Sequence, residues 1–176
     1  MNYADIKYCD VANGEGVRVS LFVSGCTHHC KECFNKEAWD FHYGNPFTQK
    51  EIARILEYLK PNYIAGLSLL GGEPMEPVNQ EGILPLLRVV KQTYPEKNIW
   101  CYTGYLFDKD VLDKMCKESE VTKEIVSYLD IVVDGEFMID RKNLKINFRG
   151  SDNQRIIDVK KTLDSGEIVH WEREIQ

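Results

Sequence analysis

Short, nearly continuous apolar runs alternate along this chain with stretches whose apolar residues recur at helical spacing. Arg18-Val19-Ser20-Leu21-Phe22-Val23 is rich in β-branched and aromatic residues and reads as a strand. Thr48-Gln49-Lys50-Glu51 has the form of a capping box, and Ile52, Ile55, Leu56 and Leu59 continue it as a helix. Ile64 to Leu70 predicts a buried strand closed by Gly71-Gly72-Glu73-Pro74. Ile83, Leu84, Leu87 and Val90 predict a helix with Pro85 near its start. Asn98 to Tyr102 reads as the next strand and ends in Thr103-Gly104-Tyr105. Helices follow over Lys109 to Lys117 and Val121 to Tyr128, and Asp130 to Asp134 is a strand closed by Gly135. Beyond it Arg155 to Leu163 and Glu167 to Trp171, joined by Asp164-Ser165-Gly166, fit a hairpin better than a short helix and strand.

Strands alternating with amphipathic helices indicate crossover units, a mostly parallel sheet and helices outside it. The expected fold class is therefore α/β. A closed eight-fold barrel needs about 250 residues, so 176 residues predict an open, partial barrel. No repeat, low-complexity tract or long linker interrupts the chain, which reads as a single domain over 1–176. In such folds ligands gather at the carboxyl ends of the strands. The informative sequences stand at those places, after each predicted strand in turn.

The strongest of them is Cys26-Thr27-His28-His29-Cys30-Lys31-Glu32-Cys33, a C-x3-C-x2-C cluster. Three thiolates this close can share one metal centre, and no fourth cysteine is near. A four-iron cubane held by Cys26, Cys30 and Cys33 keeps one iron free of protein ligands, the open position that catalytic metal sites retain. A structural zinc knuckle would need a second hook, and the chain has none; His28 and His29 read as exposed loop residues. Cys9, Cys101 and Cys116 stand alone and read as buried or half-buried thiols. Gly71-Gly72-Glu73-Pro74 offers bare backbone for close approach of a small ligand and a carboxylate for a cationic group.

A net charge of −6 argues against bulk attraction to nucleic acid or anionic membrane. With no apolar run near 18 residues and no signal-peptide pattern, the chain reads as cytoplasmic, where clustered cysteines bind metal rather than form disulfides.

The cysteine spacing together with Gly-Gly-Glu-Pro resembles the radical S-adenosylmethionine superfamily. Asn13-Gly14-Glu15-Gly16-Val17-Arg18, running on to Cys26, looks like the leading segment of the glycyl-radical-enzyme activases. Phe34-Asn35, Trp39, Gly44 to Thr48, Trp100 with Tyr102 to Tyr105, and Val133-Asp134-Gly135 add to the likeness, as does Phe148 to Ser151 with Asn153-Gln154-Arg155. Together these residues resemble one branch, the activating proteins of anaerobic ribonucleoside-triphosphate reductase, from about Asn13 to Val159. The resemblance implies a [4Fe–4S] cluster on Cys26, Cys30 and Cys33, with S-adenosylmethionine bound at the open iron. It places Gly72 and Glu73 at the methionine part and Glu32, Cys33 and Phe34 at the adenosyl part. It implies further that reductive cleavage yields a 5′-deoxyadenosyl radical, which abstracts a Cα hydrogen from a glycine of the reductase large subunit. A flavodoxin-like one-electron donor is the expected reductant. Many members of the superfamily carry an aromatic residue where this chain has Glu32, so backbone contacts or Phe34 take over the adenine. No additional cysteine cluster is present, so one cluster is expected. Asp134-Gly135 reads as a strand end, Arg18 as either site-facing or carboxylate-paired, and Arg149, Gly150, Ser151 and Gln154 match a stretch with no derivable role.

Overall fold

The computed structural model describes residues 1–173. Seven strands form one mixed sheet: β1 (Asn2–Asp10), β2 (Val17–Val23), β3 (Asn45–Pro46), β4 (Ile64–Gly71), β5 (Asn98–Thr103), β6 (Ile131–Asp134) and β7 (Arg155–Asp158). Their order across the sheet is β3-β1-β2-β4-β5-β6-β7. The four central strands β2, β4, β5 and β6 are parallel neighbours, whereas β1, β3 and β7 pair antiparallel at the margins. The expected mostly parallel sheet thus holds for the centre and gives way to a mixed sheet at its edges. The barrel is not closed.

Side chains alternate across these strands, and the alternation splits the molecule into two layers. Val19, Leu21 and Val23, Leu67 and Leu69, Ile99 and Cys101, and Val132 enter the main core. There they meet Ile52, Ile55 and Leu59 of helix α1 (Gln49–Leu59), and Ile83, Leu87 and Val90 of helix α2 (Pro77–Thr93). The intervening residues Phe22, Leu70, Tyr102 and Val133 line a cavity on the other face. Lower on that face Trp100, Ile131 and Val133 pack with Phe148, Ile156 and Trp171 in a second cluster.

Local chemistry explains most boundaries. Thr48 and Glu51 form the expected capping box at the start of α1. Helix α2 begins well before its apolar stripe, because Pro77 occupies its first turn. Pro85 consequently lies inside the helix rather than near its start. The segment expected as a helix over Lys109 to Lys117 is a π-helix at Phe107–Met115 running into α3 (Cys116–Glu118). The Leu106 carbonyl there accepts from both Asp110 and Val111, the mark of widened winding. Helix α4 (Glu120–Tyr128) starts on Ser119, whose hydroxyl accepts from Thr122 N–H.

The hairpin expected across Arg155 to Trp171 is not formed. Strand β7 passes directly into helix α5 (Val159–Ser165), which Asp158 caps by accepting from Lys161 N–H and Gly166 closes at φ 75°. The returning segment meets the strand in a bridge between Ile157 and His170. Local caps outweighed a weak alternation of apolar residues.

Arg18 is fully buried on the cavity-side face of β2. It neither faces the site nor pairs with a carboxylate. Its guanidinium donates to Ser68 Oγ (2.7 Å) and to the carbonyls of Glu15 (2.9 Å), Leu67 (2.9 Å) and Asn98 (3.3 Å), and lies 5.4 Å from the Trp100 ring centroid. Burial lowers its pKa to about 10. Arg18 thus ties β2, β4 and β5 together beneath the cavity. Among the described residues no helix is long and apolar enough to cross a membrane.

Candidate active site at the carboxyl edge of the sheet

Strands β2, β4, β5 and β6 end at one edge, and their following loops build a single cavity of about 570 Å³. Cys26, Cys30 and Cys33 all line it, together with Gly71, Gly72, Glu73, Gly104 and Gly135. Cys9, Cys101 and Cys116 do not. Cys101 is buried and Cys116 half-buried as expected, while Cys9 is exposed near the end of β1 with φ 58°.

Backbone hydrogen bonds bind the cysteine loop to the Gly-Gly-Glu-Pro turn. Gly72 N–H donates to Val23 O and Glu73 N–H to Gly25 O, both at 2.8 Å. Gly25 and Cys26 in turn donate to Ala38 O (2.8 Å) and Trp39 O (3.2 Å) of the 3-10 turn Lys36–Trp39. This close approach explains Gly72. A Cβ there would lie 2.5 Å from Gly25 O and 2.8 Å from Ala38 O, both backbone atoms that cannot swing aside. Gly72→Ala is therefore expected to cost about 1–3 kcal/mol through overpacking and to displace the cysteine loop. Thermal melts and iron content per chain check it, and both should fall together.

Two buried carboxylates in the segment between β4 and α2 hold the same loop. Glu76, 6% exposed, accepts from Thr27 N–H (3.0 Å) and Thr27 Oγ1 (2.5 Å), immediately after Cys26. Glu73, 1% exposed, accepts from Met75 N–H (2.9 Å) and Gly104 N–H (2.7 Å), and its Oε2 lies 2.9 Å from His28 Nε2. Its oxygens are thus occupied within the protein, and Glu73 joins the ends of β4 and β5 to the cysteine loop.

His28 departs from the expected exposed residue. Its ring is largely covered, approaches Glu136 Oε1 at 3.1 Å through Nδ1, and meets Tyr105 edge-on at 4.4 Å. Burial opposes the imidazolium, but the bonds to Glu73 and Glu136 outweigh it and raise the His28 pKa. His29 is exposed as expected, with its ring stacked on Trp39.

Burial pushes the Cys26 thiol up to about 11 and raises Cys30 as well. Thiols in that state are poor free nucleophiles, whereas a bound cation reverses the preference and stabilises thiolates. Among the described residues, no group of three His, Cys, Asp or Glu side chains converges as a single ion requires. A cubane instead distributes its cysteine ligands over separate irons, so three thiols around one roomy cavity fit its donor chemistry.

The remaining expected contacts divide. Phe34 lines the cavity yet is 71% exposed, packed against Phe137 and lying below Lys142 Nζ. Glu32 is exposed, has φ 57°, and lies 3.9 Å from Lys36 Nζ, away from the cavity lining. Sequence reasoning did not single out Asn13, Tyr102 or Phe148 individually as wall residues, although all three fall in stretches that carried the family likeness. The Tyr102 hydroxyl is buried without a hydrogen-bond partner among the described residues. Asp134 ends β6 as expected, but it also anchors the wall: fully buried, it accepts from Phe107 N–H (2.7 Å) and from Arg155 Nε (2.9 Å) and Nη2 (2.5 Å). Arg155 also reaches Asp108 at 2.8 Å.

A family model described as "4Fe-4S single cluster domain" matches residues 12–157. The chain is 43% identical over 158 residues to the anaerobic ribonucleoside-triphosphate reductase-activating protein of Enterobacteria phage T4, covering 89% of this chain and 93% of the relative. It is 41% identical over 158 residues to the protein of that name from Pasteurella multocida, covering 89% and 96%. The corresponding Escherichia coli K12 protein is 38% identical over 156 residues, covering 88% and 96%.

Proposed function

Since the chain belongs to the anaerobic ribonucleoside-triphosphate reductase-activating protein family, we propose that it is a radical S-adenosylmethionine oxidoreductase that installs the glycyl radical of that reductase. The observation that carries this reading is the meeting of Cys26, Cys30 and Cys33 in one cavity with the Gly71-Gly72 turn. Those three residues hold a [4Fe–4S] cluster. Gly72 leaves room at the base of the cysteine loop, and Cys33 and Phe34 form its outer wall. A reduced cluster held there would supply one electron to the sulfonium of S-adenosylmethionine, the chemistry that would release methionine and allow one hydrogen atom to be taken from a glycine Cα of the reductase.

The chain's own residues orient the reactants and exclude water. Phe22, Leu70, Val133, Phe137 and Phe148 make much of the wall apolar, which suits a carbon radical that must not meet solvent. Glu73, Glu76 and Thr27 fix the cysteine loop, while His28 links it to the segment after β6. The four parallel strands with helices on their far face support a partial-barrel architecture within a single domain. The partner is the large subunit of the reductase, and the reductant is a flavodoxin-like one-electron donor. The setting is an anoxic cytoplasm.

Anaerobic reconstitution with iron and sulfide followed by electron paramagnetic resonance tests the reading. S-adenosylmethionine should alter the spectrum of the reduced cluster, and adding the reductase should give a protein-borne glycyl radical with one methionine released per cleavage. A reduced cluster that leaves S-adenosylmethionine intact in the presence of the reductase would refute it.

A further inference from the structure

His28 stands midway between Cys26 and Cys30, and the ends of three strands meet on its ring. Its side chain is only 10% exposed. Nε2 lies 2.9 Å from Glu73 Oε2, just after β4, and Nδ1 lies 3.1 Å from Glu136 Oε1, just after β6. Beyond β5 the ring meets Tyr105 edge-on and fills the space that a side chain on Gly104 would need. A Cβ at Gly104 would lie 2.6 Å from His28 Cδ2 and 2.7 Å from Nε2.

Both ring nitrogens are therefore committed. An ionised carboxylate only accepts, so a nitrogen that donates to one has no lone pair left for iron. His28 thus sits inside the cysteine loop without competing for a metal held there. It provides instead a brace of fixed length across the loop. One end is firm, because Glu73 also accepts from the amides of Met75 and Gly104 (2.9 and 2.7 Å). The other end, Glu136, opens the excursion between β6 and β7. Its neighbour Phe137 packs on Phe34, the residue after Cys33, with centroids 5.1 Å apart. The cysteine loop is tied at its middle and just past its end to the same wall of the cavity.

We propose that His28 is a positioning residue for the cluster, a brace between Glu73 and Glu136 that holds Cys26 and Cys30 at the spacing a cubane requires. The inference rests on the ligand set proposed above. His28 acts through the two cysteines and touches neither iron nor substrate. Groups that orient metal ligands typically contribute about ten- to a hundredfold in metal affinity or activity.

The test measures how fast a chelator strips iron from the reconstituted, unreduced protein under argon, beside the thermal midpoint of each metal-free form. Glu136→Ala is the leading variant, because that side chain is 55% exposed and lies outside the cysteine loop. It should lose iron about tenfold faster than wild type. Its metal-free midpoint should stay within about 4 °C, the most that an exposed ion pair moves it. Glu136→Gln keeps an acceptor for Nδ1 and should recover most of the retention. His28→Ala should lose iron at least as fast, and adding Glu136→Ala to it should change nothing further, since the brace is already gone. A Glu136→Ala protein that holds iron as long as wild type overturns the assignment, whether or not His28→Ala folds. So does a Gln variant no better than Ala, a double variant whose effect is the product of the two, or iron loss that merely follows a larger drop in midpoint. If the wild type takes up no cluster, the ligand set itself fails, which is a separate outcome.

Discussion

Cys30→Ala is expected to yield a folded chain that no longer retains its iron–sulfur cluster. The residue is half-buried, and its sulfur is not engaged in a disulfide. Its removal therefore leaves the core intact and takes away one of three thiolates around the cavity. A cubane with two protein ligands is readily lost, and bound iron and acid-labile sulfide should fall by roughly tenfold or more. The thermal midpoint of the metal-free protein should remain near that of the metal-free wild type. Cys9→Ala and Cys116→Ala serve as controls and should retain iron, because neither residue lines the cavity. If Cys30→Ala keeps its full iron while either control loses it, the ligand set is wrong.

The second large effect is on stability. Asp134→Ala removes a fully buried carboxylate that accepts from Phe107 N–H and from two nitrogens of Arg155. Arg155 retains Asp108 but loses its closer partner, and the first amide of the π-helix becomes an orphan. Breaking a buried pair from one side costs about 3–5 kcal/mol. Each kcal/mol moves the midpoint of a chain this size by about 2–4 °C, so calorimetry should show a drop of roughly 6–20 °C. Asp134→Asn keeps the volume and one acceptor and should lose less. A shift below about 2 °C for the alanine variant would show that this network is not a structural anchor.

The central sheet was legible because each of its strands is an apolar run stopped by glycine or a polar turn. Val17–Val23, Ile64–Gly71, Asn98–Thr103 and Ile131–Asp134 agree with the expected runs to within a residue at each end. The site followed from the same fact, since parallel strands bring their closing loops to one edge. Strand β1 was not legible: only Tyr3 is buried along it, and its other positions carry too little apolar signal. The role of His28 was hidden for a different reason. Its partners Glu73 and Glu136 lie 45 and 108 residues away, and no local pattern encodes such a contact. The region after Arg155 carries competing signals: the Asp158 cap and the left-handed Gly166 specify a helix, while a weak apolar alternation points to a hairpin.

The two margins of the sheet are guarded unequally. On one side β3 is two residues long and includes Pro46, which has no amide hydrogen to offer a further strand. On the other, the segment returning after α5 covers β7: Trp171 donates to Ile156 O and Asp158 to Val169 O. Open margins recruit foreign strands and seed fibrils. Among the described residues β3 meets only Asn2 and Tyr3 of β1, whereas the covered β7 offers few free backbone groups. Copies of this chain crowded together should therefore pair edge to edge through β1 rather than through β7.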